Sequence, residues 1–156
     1  MEYRCEATSV EGFVQQLCSN YLPHGYRFYV TGFVPDGKDP RSVDRKLIAK
    51  YGIGISRQSR ARRELGGLAN LHHLRFERFF VLLSTHGHHV FFEEEGDRIR
   101  DVRRIPLQFH GYSISVKRAH FLQRVSPDEP AVPDGRYRVR VQIGRERYRE
   151  LKAYFL

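Results

Sequence analysis

The sequence contains little sulfur and no tryptophan. Among its 156 residues are two Cys, one Met and no Trp. Cys5 and Cys18 fit no zinc-ligand spacing and allow at most one disulfide, which excludes zinc fingers and disulfide-dense secreted domains. The longest apolar run, residues 79–83, is far too short for a membrane-spanning helix, which needs about 20 apolar residues. We therefore expect a soluble protein with reduced thiols and no membrane partner, located in the cytoplasm, where it is free or associated with the nucleoid.

Acidic residues are scarce relative to basic ones. The chain has 27 Lys and Arg against 18 Asp and Glu, a formal net charge of +9. Arginine presents a planar fork of donors that fits phosphate oxygens, and a basic surface gains affinity by releasing counterions from a polyanion. We therefore expect a nucleic-acid partner. A basic protein without a polyanion partner, or one attracted to an anionic membrane surface, is the alternative.

Length and periodicity indicate one folded domain over residues 1–156. A chain of this size can enclose a single hydrophobic core. Apolar residues recur at helical spacing over 10–21 and 40–51, and a further helix over 57–65 is indicated by Ser56, which can cap it, and by Gly66 and Gly67 after it. Period-two patterns cover 26–34, 68–76, 78–85, 89–94, 107–116 and 136–143. The pattern predicts the α+β class, with an antiparallel sheet of about five strands and helices packed chiefly on one face.

A last helical pattern covers residues 145–156. It stops on Ala153, Tyr154, Phe155 and Leu156, without a cap or a polar tail. Terminal residues are usually polar and frayed unless they are tied down. We therefore expect either a tightly docked terminal helix or a chain that is a fragment of a longer protein.

Basic side chains concentrate in a helix that Ser56 can cap and on one face of the last strand. They are Arg57, Arg60, Arg62 and Arg63 in the helix, and Arg136, Arg138 and Arg140 in the strand. A solvated face normally mixes both signs, and residues 56–63 contain no acid. We predict that these arginines bind phosphate; a merely solvated charged face is the alternative. Candidate base-stacking residues, which core packing explains equally well, are Tyr26, Tyr29, Phe109 and Tyr112.

The densest group of potential metal ligands is His86, His88 and His89, which follow an apolar strand. Two histidines at positions i and i+2 of an extended chain point the same way. His86 and His88 therefore offer two neutral imidazoles to one divalent ion. Alternatively, His86 and Gly87 form a hairpin turn, and the histidines are exposed or packed.

His86, Gly87 and His88, followed by Val90, Phe91 and Phe92, resemble the signature of the HUH endonucleases. This family comprises rolling-circle replication initiators, relaxases and single-strand transposases. Its signature is a hydrophobic residue between two histidines, followed by a hydrophobic strand. Gly87 and the additional His89 depart from that signature.

The resemblance implies a catalytic tyrosine and a metal ion. Proteins of the family carry a nucleophilic tyrosine on a later helix, commonly with a lysine one turn on, and Tyr148 and Lys152 match this spacing. Mg²⁺ or Mn²⁺ at His86 and His88 would polarise the scissile phosphate. Tyr148 would attack it to form a phosphotyrosine intermediate, and Lys152 would neutralise developing charge. Alternatively, Tyr148 belongs to an ordinary apolar stripe at helical spacing.

Three functions remain open from the sequence. The first is a DNA-binding domain of a mobile-element or replication protein, acting as a metal-dependent nickase on single-stranded or hairpin DNA. The second is a non-catalytic DNA- or RNA-binding module whose histidines are structural. The third is a metal-independent ribonuclease that uses His as general acid and base.

Overall fold

The computed structural model describes residues 3–118, 122–123, 127–128, 132–133, 136–144, 149 and 152–153. The chain divides into two compact units, Met1–Asp101 and Val102–Leu156. Both helices and sheets are present, so the predicted α+β class is confirmed. A single domain over the whole chain stays a prediction.

The first unit contains a five-stranded sheet with the strand order β1-β3-β4-β2-β5. The strands are β1 Glu6–Ala7, β2 Phe28–Phe33, β3 Leu71–Phe76, β4 Phe79–Ser84 and β5 Arg100–Asp101. All neighbours are antiparallel except β1 and β3, which run parallel. The sheet is therefore mixed and not purely antiparallel, because the chain enters along its edge in the direction of β3 before the first helix begins.

Four α-helices belong to this unit. They are α1 Val10–Gln16, α2 Pro40–Tyr51, α3 Arg57–Leu65 and α4 Val90–Glu95. A π-helical turn, Leu17–Tyr21, and a 3₁₀ turn, Leu22–His24, extend α1. The side chains of Ser9, Asp39 and Ser56 accept hydrogen bonds from the first turns of α1, α2 and α3. In the described part of the chain, no helix is long and apolar enough to cross a membrane.

Helical segments lie against both faces of the sheet, because β4 is apolar on both. Leu82 belongs to a buried cluster with Tyr51 of α2 and Phe91 of α4. Phe79 lies three residues earlier on the same strand and therefore faces the opposite side. Its ring contacts Phe13 of α1, with 5.8 Å between the centroids. Two helical layers thus enclose the sheet, where the sequence predicted helices chiefly on one face.

Residues 90–95 form a helix, so the predicted strand over 89–94 is wrong. His89 has an extended backbone, and its Nδ1 accepts a hydrogen bond from the Phe91 backbone N–H at 3.0 Å. This cap begins the helix, and Phe91 is fully buried on its inner side. A helix also places Glu95 within 2.6 Å of the Tyr51 hydroxyl, which donates to it.

The second unit contains a three-stranded antiparallel sheet with the strand order β10-β7-β6. Its strands are β6 Leu107–Phe109, β7 Tyr112–Arg118 and β10 Tyr137–Ile143, and a separate pair consists of β8 Leu122–Gln123 and β9 Val132–Pro133. The predicted single strand over 107–116 is a hairpin, because His110 and Gly111 adopt the positive φ values of a tight turn. The predicted last strand over 136–143 is confirmed as β10.

Candidate nucleic-acid interface

The four arginines of α3 divide into two inward and two outward residues. Arg57 and Arg62 are exposed, whereas Arg60 and Arg63 are partly buried. Arg63 donates from Nε to the Asn70 side chain at 3.1 Å and from Nη2 to the Ala69 carbonyl at 2.8 Å. The helix therefore offers Arg57 and Arg62 to a phosphate, while Arg63 connects the helix to the chain that leads into β3.

Arg60 also donates hydrogen bonds to neighbouring oxygen atoms of the fold. Its Nη1 donates to the Leu71 carbonyl at 2.9 Å and to the Tyr26 hydroxyl at 3.2 Å, and its Nη2 donates to the Ile53 carbonyl at 2.6 Å. Hydrogen bonds from a charged donor are among the stronger ones in a protein. The Arg60 guanidinium therefore fixes α3 against the outer edge of β3, and a phosphate would have to displace these partners.

Gly87 explains why the residue between the two candidate metal-ligating histidines is not hydrophobic. Its φ is +142°, a conformation that side chains rarely adopt. A Cβ at this position would lie 2.7 Å from the Ala69 backbone nitrogen and 2.8 Å from the Leu68 carbonyl carbon. The His88 N–H also donates to the Gly67 carbonyl at 3.1 Å. The departure from the family signature thus has a local steric cause.

His86 and His88 are both exposed, and His88 lines a surface cleft of about 530 Å³. Arg63, Val90 and Glu93 also line this cleft. Among the described residues, no third His, Cys or carboxylate joins the two histidines in a group of metal-ligand geometry. Mg²⁺ requires near-octahedral oxygen coordination. Among the described residues, His86 and His88 alone do not complete such a coordination sphere, and their role as Mg²⁺ or Mn²⁺ ligands stays a prediction.

His89 has a structural role. Its Nδ1 caps α4, so its Nε2 carries the proton and donates to the Tyr51 carbonyl at 3.1 Å. Burial lowers the pKa of His89, which keeps the ring neutral. Of the three neighbouring histidines, His89 therefore serves as the N-cap of α4.

A different group of residues could hold a metal ion. Cys5, Asp44 and His73 are buried, and one ligand atom from each lies within 4.8 Å of the others. His73 Nε2 lies 2.8 Å from Asp44 Oδ1, and Arg75 Nε lies 2.9 Å from both Asp44 oxygens. Arg75 also pairs with Glu6 at 3.2 Å. The Arg75 guanidinium thus already places positive charge next to the Asp44 carboxylate, which a metal ion would also need as a ligand.

The pKa values of Asp44 and Cys5 follow from these contacts. Burial alone would raise the pKa of Asp44, but hydrogen bonds from His73 and Arg75, with their positive charge, outweigh it and lower that pKa. Burial, followed by the nearby Asp44, raises the pKa of Cys5 to about 12, which keeps the thiol protonated. The cluster is a buried ion-pair network in which His73 Nδ1 lacks a hydrogen-bond partner among the described residues, and a thiolate ligand at Cys5 would form only with a metal present.

His72 lies on the opposite side of β3, among tyrosines. Its ring stacks on Tyr21 with 4.4 Å between the centroids and lies tilted against Tyr26 at 4.8 Å, and its Nδ1 lies 2.6 Å from the Tyr3 hydroxyl. Burial, and secondarily Arg60, lowers its pKa to about 3. His72 is therefore neutral near pH 7 and unsuited to donate a proton as a ribonuclease acid.

The second unit carries most of the net charge. It holds twelve Lys and Arg against five Asp and Glu, a formal charge of +7, which leaves +2 for the first unit. Residues 102–118 and 136–144, which contain the three-stranded sheet, include seven Lys and Arg and no acid. Arg138 lies directly opposite Lys117, and Arg140 lies opposite Ser115. Residues directly opposite each other share a face, so the exposed cations Lys117, Arg138 and Arg140 line one side of the sheet. We call this side the basic sheet face; Arg136, also exposed, immediately precedes it.

Of the predicted nucleophile pair, Lys152 is helical and exposed, whereas Tyr148 lies outside the described residues. The predicted stacking residues Tyr26, Tyr29 and Phe109 are each less than 10% exposed and are core residues.

No protein-family model, curated protein or solved structure matches this chain.

Proposed function

We propose that this chain binds nucleic acid through the basic sheet face of its second unit. The observation that carries the proposal is that Lys117, Arg138 and Arg140 are exposed together on one face of the three-stranded sheet. A row of exposed cations on one face favours a polyanion as partner, because binding releases the counterions of the polyanion. Side chains two residues apart on a strand are about 7 Å apart on one face, which arranges Arg138 and Arg140 in a row.

The position of Lys117 directly opposite Arg138 supports a role for the basic sheet face in binding an anionic partner. Like charges directly opposite each other destabilise a pair of strands. Lys117 partly offsets this by donating from Nζ to the Arg103 carbonyl at 2.8 Å. A phosphate bound between Lys117 and Arg138 would reduce this repulsion, because its negative charge attracts both side chains.

Single-stranded or hairpin DNA is the first candidate partner, and RNA is the second. The proposal places the chain in the cytoplasm or on the nucleoid, in a mobile-element or replication context. Phosphate contacts alone do not distinguish DNA from RNA, because both backbones carry the same charge. Competition between matched DNA and RNA oligomers decides which partner it prefers.

The test is the salt dependence of binding to a labelled single-stranded oligonucleotide, measured by fluorescence anisotropy. Each phosphate contact on a single strand contributes about 0.7 to the slope of log K against log salt. We expect Arg138→Gln with Arg140→Gln to lower the magnitude of that slope by about 1.4. The control is Arg118→Gln, which removes charge from the opposite face, where Arg118 lies across from Tyr137.

Equal slopes for the double variant and the parent would contradict the proposal, as would a single Arg118 change that weakens binding as much as the double variant does. Circular dichroism of each variant establishes that the sheet is intact. Arg57→Gln and Arg62→Gln then report separately on the exposed side of α3, which is a second place for phosphate contact.

A metal-dependent nickase is the second candidate function. It is favoured by the exposed His86 and His88 beside a cleft that Arg63 also lines. Because the described residues lack a third ligand there, we derive no metal-dependent step. The nickase is tested by incubating the chain with hairpin DNA, with Mn²⁺ or with chelator, and separating the products on a denaturing gel. A protein-linked band that Tyr148→Phe abolishes would establish the nickase. RNA cleavage in chelator that leaves a cyclic phosphate would instead establish a ribonuclease.

A further inference from the structure

Three different elements of the first unit bring Cys5, Asp44 and His73 together. Cys5 immediately precedes β1, and its carbonyl accepts a hydrogen bond from the Arg75 N–H at 2.7 Å, which holds the residue beside β3. Asp44 lies on α2, and His73 lies on β3. All three residues are less than 10% exposed, and one ligand atom of each lies within 4.8 Å of the others. The fold therefore fixes a thiol, a carboxylate and an imidazole around one point.

Small shifts would place the three groups on one metal ion. His73 Nε2 and Asp44 Oδ1 lie 2.8 Å apart, which is a hydrogen-bonding distance. Zinc binds nitrogen and oxygen at about 2.0–2.1 Å in a tetrahedron, so two such ligand atoms lie about 3.3 Å apart. The ion would therefore replace the proton between His73 and Asp44 once these two atoms had separated by about 0.5 Å. The Cys5 thiol would lose its proton on binding, as metal-bound thiols do.

The chemistry of the donors selects the kind of metal. Among the described residues, the group consists of one sulfur, one nitrogen and one oxygen donor. Mg²⁺ and Ca²⁺ take oxygen ligands, whereas thiolate together with imidazole is typical of Zn²⁺. Zinc sites with three protein ligands keep a fourth position for water. Cys5 and Asp44 line a cleft of about 750 Å³, and the water of this cleft can supply that fourth ligand.

The position of Arg75 is compatible with a metal ion in this group. Its Nε donates to both Asp44 oxygens at 2.9 Å, and its Nη2 pairs with Glu6 at 3.2 Å. Hydrogen bonds to a ligating carboxylate are usual and fix its orientation. With Cys5 and His73 neutral, the charges of Asp44 and Glu6 exceed that of Arg75 by one negative charge. A divalent ion that displaces the Cys5 proton adds one positive charge, so the charges of the group then cancel.

We propose that Cys5, Asp44 and His73 form a zinc site at the floor of this cleft. The site uses neither His86 nor His88. It belongs to the first unit, whereas the basic sheet face belongs to the second, so the two proposals stand or fall separately.

The test uses Co²⁺, which can take the place of Zn²⁺ and gives a strong near-ultraviolet absorption band when a thiolate is among its ligands. The untagged full chain, freed of metal by chelator, is titrated with Co²⁺ under reducing conditions. We expect the band to reach its plateau at one equivalent, excess Zn²⁺ to remove it and excess Mg²⁺ to leave it unchanged. Cys5→Ser should abolish the band. The matched control Cys18→Ser and the variant His88→Ala should keep it.

X-ray absorption at the zinc edge provides a measurement that needs no variant. The chain loaded with one equivalent of Zn²⁺ should show one sulfur among four ligands, and a spectrum with no sulfur or with two overturns the site. Absence of the cobalt band in the parent, its survival in Cys5→Ser or its loss in Cys18→Ser overturns the site as well. The thermal midpoint of each metal-free variant checks its folding. If Cys5→Ser does not fold, the zinc-edge spectrum of the parent decides.

Discussion

Acid should destabilise the first unit through His72 before it protonates any carboxylate. The ring packs against Tyr21 and Tyr26, and burial lowers its pKa from 6.5 to about 3. Arg60 contributes in the same direction, because its positive charge opposes a second one nearby. The folded state therefore resists a proton that the unfolded chain accepts near pH 6.5.

The sign of the effect follows from this difference in proton binding. Between pH 6.5 and 3 the unfolded state binds more protons than the folded state, so the free energy of unfolding falls as the pH falls. The stability is fully present above pH 6.5. With the folded pKa at about 3, His72 alone removes about 3 kcal/mol between pH 7 and pH 4. That is a large part of the total stability of a domain of this size.

Urea unfolding followed by circular dichroism at pH 7, 6, 5 and 4 measures this loss. His72→Phe keeps the ring contacts and removes the titrating group, so its stability should change much less over that range. The pKa of His89 is also lowered, which leaves some dependence in the variant. His24→Gln removes an exposed histidine and should behave like the parent. Identical pH profiles for the parent and His72→Phe would refute the desolvation argument.

Three further outcomes follow from the contacts of the first unit. Asp44→Ala removes the buried carboxylate that Arg75 and His73 share and leaves Arg75 only the half-exposed Glu6, so it should cost about 3 kcal/mol in urea unfolding; a chelator that lowers the parent's midpoint would show that the cluster holds a metal. Gly87→Ala, at φ +142°, should lower stability by about 1–3 kcal/mol, seen as a lower thermal midpoint. Arg60→Gln should cost about 2–3 kcal/mol, but the matched Arg62→Gln less than about 0.5, since only Arg60 donates to buried carbonyls. Equal costs for these two arginines would contradict that division.

Periodicity and caps predicted most elements of the fold from sequence. The Ser56 cap and the Gly66 stop define α3, the continuous apolar run over 79–83 marks β4, and alternation marks β10. The failure at 89–94 has a physical cause: Phe91 and Phe92 are strand formers by propensity, but the His89 cap and burial of Phe91 favour a helix. The parallel pairing of β1 was not predictable, because two residues carry no measurable period.

The candidate sites were harder to predict because charge and aromaticity do not reveal a side chain's partners. Arg60 and Arg62 are indistinguishable in sequence, yet one is bonded to backbone carbonyls and the other is exposed. Phe33 looked like an ordinary strand residue, yet it is the last residue of β2 and is 72% exposed.

The backbone itself explains why the arginines of α3 and those of β10 differ. The two-residue strand β1 pairs only with Arg75 and Phe76, so the remaining outer edge of β3 has carbonyls without a strand partner. Arg60 reaches one of them, and the Tyr3 hydroxyl bonds to the His73 backbone in the same row. Arg138 and Arg140 of β10 are exposed on the basic sheet face, whereas Arg60 is partly buried against these carbonyls. Their exposure makes the β10 arginines the better candidates for phosphate contact.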